Sequence, residues 1–171
     1  MQGVAEGDTE IPSGAAVPAE YNLAALNGVS FTKGCYVGQE FMARVHFKGV
    51  VRKRVMPFRV DHETPGVCCL DPGSQVCDIF DAAGALESVG TVRAREGDVG
   101  LALVKLKAGL LAAQDSEPLY ARCGGAGQYV NIRPWRPAWW PAEWGGTAQE
   151  LGAEEGAAVG LVAAAAVGAQ A

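Results

Sequence analysis

Pairs of metal-ligating residues are what this sequence lacks first. It has five cysteines, an odd number, and none is spaced as Cys-x-x-Cys. Cys68 and Cys69 are adjacent, which is poor geometry for a bridge, and Cys77 and Cys123 lie in strand-like text. The two histidines, His46 and His62, stand at no ligand-like spacing from a cysteine pair, so each reads as a surface or partly packed residue. The pattern argues against a self-contained zinc or cluster site and for reduced thiols in a cytosolic or organellar-matrix protein. Positive charge is also short: 14 Lys and Arg face 19 Asp and Glu, a net −5, which speaks against a general nucleic-acid binder. The opening MQGVAEGDTEIPSG has no arginine and fits neither a transit peptide nor a secretory signal. The longest apolar stretch, Ala157–Ala169, covers 13 Ala-rich residues. That is too short to span a bilayer, so a soluble protein without membrane partners is expected.

What is present suits a packed core. Apolar residues make up 49% of the 171, room for one ordinary domain and a fragment of another. Residues 1–20 read as a loop or lead-in. A short helix is predicted over Tyr21–Asn27, with Leu23 and Leu26 on one side, then a brief strand over Val29–Phe31 and a helix over Gln39–Phe47. Beyond Gly49 the period changes. Val55–Val60, Gln75–Phe80, Leu86–Arg95, Gly100–Leu106, Pro118–Cys123 and Gln128–Ile132 are short Val- and Leu-rich runs separated by turn signals such as Asp71-Pro72-Gly73 and Glu96-Gly97-Asp98. Such spacing predicts a small antiparallel barrel or sandwich. Gly124–Gly127 matches no phosphate-binding fingerprint and reads as a hairpin loop. The prolines of Arg133–Pro141 exclude a central strand and predict an extended strap whose tryptophans cover the barrel. From Gly145 onward, Ala, Gly and Glu dominate, the composition of a disordered tail.

Chemistry concentrates in Phe31–Glu40. Cys35 lies between Gly34 and a predicted helix start after Gly38, with Lys33 two residues before it. A nearby cation and a helix N-terminus both favour a nucleophilic thiolate. Gln39 and Glu40 fall in the first helical turn, and Arg44 stands one turn on from Glu40 as an i,i+4 partner. Two readings stand side by side: Cys35 as a functional thiol, or the segment as a structural junction with Cys35 a packed small residue. Seven basic residues against one acidic between Lys33 and Arg59 likewise read as a positive field for an anionic ligand or as a solvated surface.

Asn22-Leu23 and the stretch Asn27–Glu40, with its Lys33-Gly34-Cys35-Tyr36-x-Gly38-Gln39-Glu40 core, then Ala43-Arg44 and Arg52-Lys53-Arg54, together resemble the YgfZ/GcvT-like family. Trp139-Trp140-Pro141 resembles the ending of the branch that serves mitochondrial iron–sulfur cluster assembly. The resemblance covers roughly residues 1–142 and implies an α+β chain in three parts. Residues 1–50 would be the remnant of a folate-binding, GcvT-like domain, residues 51–142 a C-terminal β-barrel with its Trp/Pro strap, and residues 143–171 the tail. It implies an accessory factor in maturation of [4Fe-4S] proteins in the mitochondrial matrix. Its partners would be iron–sulfur assembly proteins and [4Fe-4S] clients, and Cys35 its functional thiol. Tetrahydrofolate is the implied cofactor, although the N-terminal portion that supplies most of the family's folate pocket has no counterpart here. The chain thus looks like the C-terminal part of a family member, lacking a targeting peptide, and no conventional enzyme by itself. Two alternatives remain at this point: a folate-dependent aminomethyl transferase, whose branch does not carry the Cys-containing signature, and a non-enzymatic partner-binding barrel.

Overall fold

A computed structural model describes residues 2–61, 78–81, 88–114, 118–122 and 129–144. Its centre is a closed antiparallel barrel of six strands. They are β1 (Lys53–Val60), β2 (Asp78–Asp81), β3 (Gly90–Glu96), β4 (Val99–Lys105), β5 (Leu119–Arg122) and β6 (Tyr129–Pro134). Around the barrel the order is β1-β4-β3-β2-β5-β6, with β6 closing back on β1. Closure removes the open edges through which short sheets otherwise aggregate.

Alternation along β1 and β4 sorts side chains between two faces. Met56, Phe58, Val60, Ala102 and Val104 belong to the interior core, with Ile79, Leu119, Ala121, Val130 and Ile132 from the other strands. Val55, Leu101 and Leu103 face the other way, yet they too are buried, in a second cluster with Tyr21. Ala5, Ile11 and Ala16 of the lead-in, together with Leu23, cover that outer face. This is why β1 and β4 read as nearly continuous apolar runs. Gly100, opposite Phe58, has no room for a Cβ: one would lie 2.5 Å from the Ala94 carbonyl oxygen and 2.5 Å from the Phe58 ring. A bulge at Val92/Ala94 on β3 bends the sheet at the same level.

Several local expectations are corrected. Tyr21–Asn27 is a run of turns and not a helix, because Asn22 and Asn27 adopt left-handed φ of 63° and 58°. Val29–Phe31 forms a bend and not a strand. Two helices were not expected: the short α1 (Gly7–Glu10) and α3 (Leu106–Ala113). α3 buries Leu110 and Ala112 in the barrel core. The helix predicted over Gln39–Phe47 is present as α2 (Gln39–Lys48).

The strap begins later than expected. Arg133 and Pro134 still pair with β1, and Trp135 donates its backbone N–H to the Pro57 carbonyl oxygen at 2.9 Å. Beyond it, Trp140 enters the core and Trp139 and Trp144 pack against it. Trp139 also donates its indole N–H to the Gln2 carbonyl oxygen at 2.7 Å, tying the strap to the lead-in. The tail also begins later than the expected residue 143: Glu143 and Trp144 lie in a 3-10 turn, Ala142–Trp144, held by the contact of Trp144 with the core. The tail from Gly145 onward, the Gly124–Gly127 hairpin, His62, and Cys68, Cys69, Cys77 and Cys123 lie outside the described residues. No helix among the described residues is long and apolar enough to cross a membrane.

Candidate functional site

The signature forms a tight entry turn into α2. The Tyr36 carbonyl oxygen accepts the Gln39 N–H at 3.2 Å, and the Gln39 side-chain Oε1 accepts the Tyr36 N–H at 3.3 Å. Gly38 is the N-cap at φ 86°, a conformation that a side chain makes costly, and its carbonyl takes the first helical bond from Met42 N–H at 3.2 Å. Upstream, Ser30 Oγ accepts the Lys33 N–H at 3.3 Å. The glycine and the glutamine therefore set the shape of the turn.

Cys35 sits on this turn with its thiol exposed. The Lys33 ammonium is placed over the Tyr36 ring, 4.7 Å from its centroid, and the Tyr36 hydroxyl is buried without a hydrogen-bond partner. A Cβ added at Gly34 or at Gly38 would meet nothing within 4 Å. The space over the turn is open. Val37 is fully exposed and Phe41 half exposed, so an apolar ridge runs beside the thiol. Glu40 and Arg44 are both exposed, and among the described residues no ion pair joins them. Only Met42 of α2 is buried. Further along the helix His46 stacks on Phe31, with ring centroids 3.8 Å apart.

Behind α2 lies a cavity of about 570 Å³, whose walls include Phe31, Met42, Val45, Leu106 and Trp144. Arg54 also lines it and is 6% exposed. The basic run from Lys33 to Arg59 is thus split. Lys33, Arg44, Lys48, Arg52, Lys53 and Arg59 are exposed, while Arg54 turns in. Its Nη1 donates to the Ala19 carbonyl oxygen at 3.1 Å and to Asn22 Oδ1 at 3.2 Å. Its guanidinium lies on the Trp144 ring, 3.4 Å from the centroid, and its Nε has no hydrogen-bond partner. Burial lowers its pKa to about 10. Sequence reading grouped Arg54 with its basic neighbours. The signal that separates it is strand parity: Arg54 shares a face with Met56 and Phe58, which the barrel interior claims.

Comparison with known proteins agrees with this architecture. Residues 52–142 match the family described as CAF17, C-terminal beta-barrel domain. Over 141 residues the chain is 44% identical to the mitochondrial iron–sulfur cluster assembly factor IBA57 of Homo sapiens, covering 82% of this chain and 36% of that protein. The Mus musculus protein of the same name is 39% identical over 141 residues, with the same coverage. A homologue from Pyricularia oryzae is 35% identical over 140 residues, 76% of this chain and 36% of its own length. The chain spans little more than a third of the length of these relatives. With that match and the closed barrel, this chain belongs to the family of the CAF17 C-terminal β-barrel domain, on the branch of the mitochondrial iron–sulfur cluster assembly factors.

Proposed function

We propose that this chain serves iron–sulfur cluster assembly in the mitochondrial matrix, supporting maturation of [4Fe-4S] proteins as an accessory factor. The process comes from the names of its relatives, and the observation that carries it to this chain is the exposed thiol of Cys35 on the entry turn of α2. Thiolate is the ligand that iron–sulfur clusters take, and a cluster in transit needs a ligand that solvent and partner can reach. Four thiolates usually hold a cluster, whereas the described residues offer one. Cys35 would therefore share its cargo with cysteines of an assembly protein or a [4Fe-4S] client. Val37 and Phe41 give such a partner apolar contact beside the thiol, and the open space over Gly34 and Gly38 leaves room for its backbone. On this reading the barrel is a scaffold, and residues 51–142 and 1–50 form its two functional parts, platform and presenting segment.

Tetrahydrofolate, implied by the YgfZ/GcvT resemblance, finds a partial match. The cavity by Arg54 is wide enough for a bicyclic ring, and Arg54 suits a carboxylate. The donor edge of a pterin needs an acceptor, and the carboxylate on the cavity wall is the exposed Glu143. The described residues by themselves do not assemble a folate site.

The test is a graft. In human cells depleted of the relative, a version whose matching region is replaced by this chain should restore the activity of [4Fe-4S] enzymes. Activity of [2Fe-2S] proteins should change little throughout. A well-expressed graft that leaves [4Fe-4S] enzymes inactive would contradict the proposal.

A further inference from the structure

We propose that the cavity beside Arg54 is a binding site for a small monocarboxylate with a flat or branched apolar body. Arg54 carries an uncompensated charge. Arg54 is 6% exposed, and among the described residues no carboxylate pairs with it. Its two hydrogen bonds go to neutral oxygens, and its Nε makes none. A buried cation without a counter-ion is costly, and burial already disfavours its charged form. A ligand carboxylate would offset that cost through charge-assisted hydrogen bonds, the interaction for which a guanidinium fork is shaped.

The surroundings define the rest of the ligand. Phe31, Met42, Val45, Leu106 and the Trp144 ring make the walls apolar, and the volume of about 570 Å³ falls in the range of small-molecule sites. One buried cation matches one negative charge. A phosphate dianion would meet a single lysine or arginine, because the other lysines and arginines of this region are exposed and do not line the cavity, and the one further basic side chain on the wall, His46, is stacked on Phe31. Trp144 fixes the guanidinium plane from one side, so the cation is held in place before any ligand arrives. The exposed Glu143 on the rim adds discrimination against multiply charged anions. This site is separate from the Cys35 turn and does not rest on the proposed role in cluster assembly.

The experiment is an NMR titration of the ¹⁵N-labelled 171-residue chain, following the Arg54 Nε–H and Trp144 indole N–H signals. The probes are 2-naphthoate and its neutral amide, 2-naphthamide. Naphthoate should shift both signals saturably and bind at least about ten-fold more tightly than the amide. Val45→Trp, which fills the cavity from the α2 side, should weaken naphthoate at least about ten-fold while the barrel signals stay in place. Should that variant fail to fold, Ala25→Phe, on another part of the wall, replaces it. Equal binding of acid and amide would overturn the proposal in favour of an apolar crevice. Undiminished binding in the filled variant would place the ligand elsewhere. No saturable shift up to about 10 mM naphthoate would reduce Arg54 to a structural clamp.

Discussion

Asn22 shows how much one residue can carry here. It is 1% exposed, its Nδ2 donates to the Val55 carbonyl oxygen at 2.8 Å, and its Oδ1 accepts from Arg54. It does so from a left-handed φ of 63°, which asparagine tolerates better than most residues. Asn22→Ala should therefore cost about 2–4 kcal/mol, from two lost buried hydrogen bonds and the strained backbone. Asn22→Gly loses the same bonds without the strain and should cost about 1 kcal/mol less. Urea denaturation of the three proteins checks the order, and equal stability of alanine and glycine variants would show that the backbone carries no strain. The sequence conceals this role. Asn22 lies in a stretch whose Leu23 and Leu26 have helical spacing, and what breaks the helix is a bond to β1, 33 residues away.

Among the elements, the strands were legible because each is a short apolar run between strong turn signals, and α2 was legible from Gly38 and its amphipathic spacing. α3 was not. It follows β4 with no glycine, proline or other turn residue between them, and its N-cap, Lys105, makes no side-chain capping bond. Its helical state is set by the barrel core that Leu110 and Ala112 enter, a long-range cause that local spacing does not report. The lead-in is the other element whose role depends on distant contacts. Beyond the apolar cover it gives β1 and β4, the Glu20 carbonyl accepts the Val55 N–H at 2.8 Å, along the part of β1 that precedes its pairing with β6. A chain beginning at Val51 should keep its strands yet melt more than about 5 °C lower than the 171-residue chain, because Val55, Leu101 and Leu103 become exposed. Circular dichroism melts decide this. An unchanged midpoint would mean that the lead-in adds nothing to the barrel.

The closed barrel carries two features: a thiol on an open turn outside it and a buried cation in an apolar cavity. The first was visible in the sequence, since a cysteine between glycines ahead of a helix is an uncommon local pattern. The second was hidden inside a basic run, because only the barrel decides which arginine turns in. In the proposed function Cys35 is the working group and the barrel its support. The most direct measurement is the activity of a [4Fe-4S] enzyme in depleted cells carrying the grafted relative, with Cys35 either intact or changed to serine, at matched protein levels. Serine preserves the size of the side chain but removes the soft sulfur ligand. Cys35→Ser is expected to restore less than about a tenth of the activity that the intact graft restores. Full restoration by the serine variant would contradict it, leaving Cys35 as a residue of the turn and nothing more.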